Sequence, residues 1–403
     1  MSDPTAVVIG ASLAGVTAAA TMRDSGFDGP IVVLDPSTEL PPDRPPLSKQ
    51  VLAGEWEPQQ ATSRAATRMV EAGVDLRLGV AATSLDSGTR TVTTSDGDRI
   101  AAAGVVIAAG ASPRHLPDEP AGVHVLRTLE DCLALRAELD AGPARVAVIG
   151  AGFIGAEVAA TCRGRGLEVT MIEAGPLPLG RVLPGAAGEF IAELHRGHGV
   201  DVRLGVGVDG LESGVDGRVS SVRMADGSHV DAQVVVVGIG VVPSVAWLEG
   251  SGLVLGDGVR CDETLLAAPG IVAAGDVASW PNSRFGQVMR VEQWENAVEQ
   301  GEHAGRRVLA EMGLGESPGV FAPIPWFWSD QYDRKLQMAG RPSADDVMEV
   351  VEGSIEEQRF VALFRRGDTA SAVLGVNRPR HVMQARMAMA GSLGWEAVRG
   401  LFQ

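Results

Sequence analysis

The chain begins with an apolar run, TAVVIG at residues 5–10, which gives way to a small-residue stretch, ASLAGVTAAATMRDSG, and then to a second apolar run, IVVLD at 31–35. β-Branched residues ending in a glycine turn predict a buried strand. The small-residue stretch predicts a helix and the second run a parallel partner, so the segment reads as a β-α-β unit. The same order returns at ARVAVIG, AGFIGAEVAATCRGRG and EVTMIE. Each unit is followed by a meander with a D-G turn, TVTTSDGDRI in one half and VSSVRMADGSHV in the other, and then by another buried run, GVVIAAG or AQVVVVGIG. This is a duplication of architecture, not a short solenoid repeat. A Pro-rich crossover, ASPRHLPDEPAG, separates the halves, and residues 253–280 return to strand-like runs. From FAPIPWFWSD onward the pattern changes to alternating runs, VMEVVEG, RFVALFRRG and ASAVLGVN, closed by a helical tail.

The turns of the two units carry the candidate chemistry. In the second, Gly150, Gly152 and Gly155 complete G-x-G-x-x-G. The first glycine makes the tight turn, the second leaves room for a pyrophosphate, and the third lets helix pack on strand. The helix N-terminus then offers unpaired N–H groups to an anion. Glu173 ends the next strand, where an acid can bond ribose hydroxyls. The first unit has Gly10 and Gly15, with Ser12 in place of the middle glycine and Asp35 as the acid. A glycine-rich turn alone often marks only a bend. Strand, helix and acid together point to a nucleotide at each turn. A 2′-phosphate beside Glu173 would meet like charge, and the following AGPLPLG supplies no arginine before Arg181, which favours NAD over NADP. The expected fold class is α/β, with two Rossmann-like dinucleotide-binding domains plus a C-terminal α+β domain. The expected boundaries are 1–112 with 245–320 for the first nucleotide domain, 113–244 for the second and 321–403 for the C-terminal domain.

Bulk properties narrow the class further. At 403 residues the chain is too long for one core. It is 45% apolar and 21% charged, and no unbroken run of apolar residues is long enough for a membrane span. The opening MSDPTAVVIG lacks a basic region followed by an apolar run, so a cytoplasmic protein is expected. Lysine and arginine number 34 against 51 acids, a net charge of −17 that argues against generic nucleic-acid binding. The three cysteines, Cys132, Cys162 and Cys261, form no C-x-x-C pair, so neither a disulfide framework nor a zinc site is expected. Cys162, in AEVAATCRG, reads as a small buried helix residue. No Ser-His-Asp set or metal cluster is visible, and His195, His198 and His303 read as solvated helix residues.

Nine motifs in order, VVIGASLAG, RPPLSK, GASPR, VIGAGFIGAE, VGIGVVP, IVAAGDVA, VEQWENAVEQG, PWFWSDQYDRKLQMAG and VLGVNRPR, span nearly the whole chain. By these the sequence resembles the ferredoxin reductases of bacterial P450 and ring-hydroxylating dioxygenase systems, flavoproteins of the putidaredoxin reductase type in the pyridine nucleotide-disulfide oxidoreductase class. The resemblance implies FAD at the first turn and NADH at the second. It implies that Asp276, after Gly275, accepts from the ribityl hydroxyls, although these two residues alone could be a plain turn. It places Arg44 by the FAD phosphates and Lys49 beside the flavin ring, paired with Glu157 to orient the nicotinamide. Read locally, Lys49 could equally be an exposed loop lysine. Glu292 and Trp294 would stand at a helix start facing the flavin's pyrimidine edge. Trp328 would lie near the flavin on the side where a partner docks, whereas Trp326 and Trp328 read alone are also compatible with core packing. Ala14, Ala109, Gly110, Arg127, Gln293, Phe153, Ile154, Gly238, Ile239 and Gly240 complete the implied cofactor contacts, with no metal. Lys49, Glu157 and Trp328 form the implied catalytic set.

The implied reaction runs from NADH through FAD to an acidic iron–sulfur ferredoxin that supplies a P450 or oxygenase. The chain would be a monomer or weak dimer that docks its partner through Arg306-Arg307 and Arg334-Lys335, unless those pairs are simply solvated. A rubredoxin reductase and an NADH-sensing flavoprotein of the apoptosis-inducing-factor type remain alternatives. Residues 1–131 contain no cysteine, which excludes thiol–disulfide chemistry beside the flavin.

Overall fold

The computed structural model describes residues 4–180, 182–391 and 394–403. The chain divides into two compact units, one of Met1–Asp43, Thr62–Ser112 and Val242–Pro325, the other of Arg44–Ala61, Pro113–Val241 and Trp326–Gln403.

The first unit is organised by a six-stranded sheet in the order Leu266–Ala268, Ile271–Ala273, Gly104–Ile107, Ala6–Ile9, Ile31–Asp35, Asp75–Leu78. Its pairings are parallel except at the Leu266–Ala268 edge. A parallel sheet is buried on both faces, which is why its strands read as unbroken apolar runs. Val8, Val33, Val106 and Val272 pack in one core with residues of the helices Leu13–Asp24 and Trp294–Glu311. Val7, Ile9, Val105 and Ile107 pack in a second core with Leu85, Val92, Val259 and Trp280 of the antiparallel strands. Chain order reverses at Ala6–Ile9, the place where open α/β sheets form a binding crevice.

Helices Leu13–Asp24 and Trp294–Glu311 approach closely at two glycines of the latter. A Cβ at Gly301 would lie 2.6 Å from the Ala14 carbonyl oxygen, and one at Gly305 2.7 Å from that of Ala18. This close approach fixes helix Trp294–Glu311 against the helix that follows the first glycine turn.

The second unit has a parallel sheet in the order Asp201–Leu204, Glu168–Glu173, Arg145–Ile149, Val234–Val237, Val123–His124. Its core also takes in Leu47, Val51 and Leu52, which pack with Cys132, Leu135, Val158 and Ala159. The segment Arg44–Ala61, read in the sequence with the first nucleotide domain, therefore sits in the second unit. Leu47, Val51 and Leu52 are buried by that unit's helices.

The same unit contains an antiparallel five-stranded sheet, Trp326–Gln331, Arg334–Gly340, Thr369–Val376, Arg359–Arg366, Val347–Ser354. Residues 326–403 are thus grouped with the second Rossmann-like sheet. Phe360, Ala362 and Phe364 share a core with Phe190, Ile191 and Leu194 of helix Ala186–Gly197, and the Phe190 and Phe360 rings meet edge-on at 5.3 Å. A Cβ on Gly375 would lie 2.4 Å from Val382 of helix Pro379–Gly391. Strand Arg359–Arg366 does not alternate between buried and exposed positions, because Phe360–Phe364 is buried throughout.

Candidate functional site

Each βαβ unit ends its first strand in a cradle of the same construction. Gly10 has φ +106° and Gly150 φ +96°. A Cβ on Gly10 would lie 2.3 Å from the Ala108 carbonyl oxygen, and one on Gly150 2.4 Å from that of Gly238. A Cβ on Gly15 would lie 1.9 Å from the Gly10 oxygen, and one on Gly155 2.0 Å from the Gly150 oxygen. These four glycines are therefore set by backbone contact within the protein. Gly152 differs, since a Cβ there would meet nothing nearer than the Gly238 oxygen at 4.0 Å. The space beside it is open, as a cradle for a pyrophosphate requires.

The acids brace both turns. Asp35 accepts from the Ala11 N–H at 2.7 Å and the Ser37 N–H at 2.9 Å. Glu173 accepts from the Ala151 N–H at 2.9 Å and the Gly175 N–H at 2.8 Å. Ser12 is the N-cap residue of helix Leu13–Asp24, yet its hydroxyl makes no capping bond, which leaves it available to a ligand. Ala14 lies in the first turn of that helix, and Phe153 and Ile154 open the equivalent helix Phe153–Gly164. Ala109 and Gly110 follow strand Gly104–Ile107, as Gly238, Ile239 and Gly240 follow Val234–Val237. Arg181, the arginine weighed in the nucleotide preference, lies outside the described residues.

In the first unit, Gly275 and Asp276 form a short 3-10 turn. The Gly275 N–H donates to buried Gln300 Oε1 at 2.7 Å, and Arg290 donates to the Asp276 carbonyl at 3.1 Å. Gln293 is the N-cap residue of helix Trp294–Glu311 and makes no capping bond through its side chain. Gln293 Oε1, Asn296 Oδ1 and Gln300 Nε2 are buried and find no hydrogen-bond partner among the described residues. Unsatisfied buried polar atoms at a helix start fit a ligand that carries its own donors and acceptors, as FAD does. Glu292, two residues before the helix, pairs with Arg290 at 2.7 Å. The Trp294 indole donates to Asp43 at 3.3 Å.

The second unit brings together Lys49 and Glu157, 108 residues apart in sequence, with Nζ and Oε2 2.6 Å apart. Ser48 donates to the same oxygen at 2.5 Å, and Ser329 donates to Oε1 at 2.8 Å. Thr161, one helical turn beyond Glu157, donates to the Ser48 carbonyl at 2.8 Å and pins the loop. Lys49 is therefore no exposed loop lysine: its side chain is 12% exposed. Ser48, Ser329 and Gln331 do not stand out in the sequence, because isolated uncharged polar residues carry no motif of their own. Arg44 precedes the short helix Pro45–Ser48, and the Arg127 N–H donates to Asp131, the capping-box acid of helix Leu129–Asp140. Trp326 and Trp328 share a strand face with ring centroids 5.6 Å apart, and Arg386 lies over the Trp326 ring.

Two expectations need correction. His195 is fully buried and His303 nearly so, against the expectation of solvated helix residues. His195 extends the buried stripe Ala187, Ile191 and Leu194 of its helix, and His303 faces Phe321. Burial pushes both imidazoles down to about 4. Among the expected docking cations, Arg307 is 11% exposed and bonded to Glu311 and Thr264. Arg334 pairs with Asp333 and Lys335 with Asp330. Arg306 is the one of the four that is solvent-exposed with only a loose contact, 3.8 Å to Glu302. No group of three or more potential metal ligands occurs among the described residues. None of the helices described is long and apolar enough to cross a membrane.

Two cradles of one design, each with its acid, define a protein that holds two dinucleotides. The chain belongs to the pyridine nucleotide-disulphide oxidoreductase family, whose model matches residues 4–301, and a reductase C-terminal model matches residues 326–398. It is 36% identical over 388 residues to the rhodocoxin reductase of Rhodococcus erythropolis, covering 95% of this chain and 89% of that protein. It is 37% identical over 387 residues to the ferredoxin–NAD(+) reductase component of the p-cumate 2,3-dioxygenase system of Pseudomonas putida, covering 94% and 92%. Among solved structures, that of the covalent putidaredoxin reductase–putidaredoxin complex matches with a TM-score of 0.91 at 31% identity, over 100% of this chain and 99% of that one.

Proposed function

We propose that the chain is a ferredoxin–NAD(+) reductase that holds FAD in its first unit and NADH in its second, and delivers electrons to an acidic iron–sulfur ferredoxin of a P450 or oxygenase system. The observation that carries this reading is the pair of equivalent cradles, supported by similarity over nearly the whole length to a rhodocoxin reductase and to a ferredoxin–NAD(+) reductase component. Bound FAD supplies the conversion from a two-electron hydride donor to a one-electron donor.

The protein's own contribution is binding and orientation. Asp35 and Glu173 keep their turns closed and offer carboxylate oxygens to ribose hydroxyls. Asp276, Gln293 and Asn296 offer polar atoms to the flavin nucleotide, with Arg44 and Arg127 as further cofactor contacts. The Lys49–Glu157 pair presents a fixed charged edge that orients the nicotinamide, and Trp328 lies on the path toward the partner. Glu173 selects NADH against the doubly charged 2′-phosphate of NADPH. Thiol chemistry has no part, because the three cysteines are buried and burial pushes Cys132 to about 11 and Cys162 and Cys261 to about 12. The protein works in the cytoplasm as a monomer or weak dimer, and Arg306 contributes to partner docking.

The test is an absorbance spectrum of the purified protein before and after NADH, followed by cytochrome c reduction with and without a ferredoxin. A yellow chromophore that NADH bleaches, and cytochrome reduction that depends on added ferredoxin, are expected. Colour that NADH does not discharge, or no acceleration by any ferredoxin of the iron–sulfur class, overturns the proposal.

A further inference from the structure

Glu157 is the end of a longer buried chain, all of it within the second unit. Ser329 Oγ lies 2.8 Å from Glu157 Oε1, and Gln331 Nε2 lies 3.2 Å from Ser329 Oγ. Gln331 Oε1 lies 3.1 Å from His195 Nε2, and His195 Nδ1 lies 2.9 Å from the Tyr332 hydroxyl. Ser329, Gln331 and His195 are fully buried. The chain ends in His198, whose ring stacks on Tyr332 with 3.6 Å between centroids and 6° between planes.

Donor counting fixes the direction of every link. A carboxylate ion-paired to Lys49 only accepts, so the Ser329 hydroxyl spends its single proton on Glu157. Ser329 then accepts from Gln331, which turns the amide nitrogen toward Ser329 and the amide oxygen toward His195. The oxygen requires a proton on His195 Nε2. The remaining ring nitrogen, Nδ1, accepts from Tyr332.

We propose that His195, Gln331 and Ser329 are positioning residues for Glu157: a one-way series of donors, starting at the Tyr332 hydroxyl, holds the carboxylate in the rotamer that meets Lys49. The inference rests on the reading of the Lys49–Glu157 pair as the group that orients the nicotinamide. The link to Tyr332 requires an unprotonated Nδ1, and burial keeps His195 uncharged at neutral pH. Tyr332 stays protonated for the same reason, its hydroxyl being pushed well above the ordinary range by burial. A strand turn more than a hundred residues away in sequence is thereby coupled to the charged edge of the second cradle.

The test uses the FAD-loaded protein and has two arms. In the first, imidazole 15N shifts report the protonation of His195 at pH 7. A single neutral Nε2–H tautomer is expected, and an Nδ1–H tautomer or an imidazolium overturns the chain. In the second, flavin reduction is followed at saturating NADH, with the dissociation constant of NADH measured separately. Ser329→Ala and Gln331→Met each remove one donor, so each slows reduction about tenfold while changing NADH affinity less than about twofold. His195→Phe behaves like them, and His195→Gln, which can donate to Gln331, returns the rate to within about threefold of wild type. Where His195→Phe fails to fold, the other two variants and the tautomer decide. Rates within about twofold of wild type for Ser329→Ala and Gln331→Met, beside a large loss in Lys49→Met, overturn the positioning role. If Lys49→Met is itself without effect, the role of the pair is what fails, and with it the function assigned to the chain of donors.

Discussion

The two cradles share a backbone and differ at the residue facing the ligand. Ser12 has φ −77° and ψ −177°, and Gly152 has φ −73° and ψ −174°. Neither conformation requires glycine. At the other glycine positions the two turns are interchangeable: Gly10 meets Ala108 as Gly150 meets Gly238, and Gly15 meets Gly10 as Gly155 meets Gly150. The lesson is that the four outer glycines answer to contacts within the protein, whereas the middle position is left open by it. On the proposed function, a serine at one cradle and a glycine at the other answer to two different ligands and are not a degraded copy of one motif.

The sharpest way to break this comparison is to add a Cβ where the protein itself forbids it. Gly15→Ala and Gly155→Ala each force a methyl into a carbonyl oxygen, so strand and helix must part. Each variant is expected to lose about 3 kcal/mol or more of unfolding free energy in urea titration. Gly15→Ala should also purify without its yellow chromophore, whereas any folded fraction of Gly155→Ala keeps the colour. Equal retention of colour, or a loss near zero in either variant, contradicts the division of roles.

Acid sharpens the comparison of the units, because each buries one neutral histidine. Their folded values of about 4 lie below the 6.5 of a free imidazole. Between these values the unfolded chain binds more protons, so stability falls as pH falls. The contribution is fully present above pH 6.5 and is lost as pH drops toward 4. Each histidine accounts for about 3 kcal/mol over that window. His303→Phe should flatten the pH dependence of the first unit's unfolding between pH 6.5 and 4 and leave that of the second. Unchanged slopes refute the assignment. Below that window the second unit loses further stability as Asp346 begins to protonate, a carboxyl that hydrogen bonds from Arg366, Ser371 and Ser343 hold at about 2 against its own desolvation.

The cradles were legible in the sequence because everything that makes them is local: an apolar strand, three spaced small residues and an acid at the end of the next strand. Lys49 and Glu157 are 108 residues apart, and only the resemblance to known reductases joined them. His195 misled because its helix carries Glu193, Arg196 and His198 around it, so that the polar neighbours outweighed its place one turn beyond Ile191. Its partner Gln331 is 136 residues away, on the strand Trp326–Gln331, and nothing local to either residue joins them. The placement of Arg44–Ala61 was illegible for a related reason: Leu47, Val51 and Leu52 announce burial, but nothing local says in which core.

The finest discrimination is at the middle position itself. Gly152→Ala adds a methyl that meets no protein atom within 4 Å except the Gly238 oxygen at that limit, so folding and flavin content should be unchanged. The methyl instead takes the space of the pyrophosphate, and the dissociation constant of NADH should rise about tenfold with little change in the limiting rate of flavin reduction. Ser12→Gly is the reciprocal change. It removes a hydroxyl that caps nothing, so the protein loses no internal bond and the effect appears only as a rise of about threefold in the FAD dissociation constant. If Gly152→Ala lowers stability instead, or Ser12→Gly tightens FAD, the middle residue serves the backbone after all. The two cradles would then differ for reasons of folding and not of ligand.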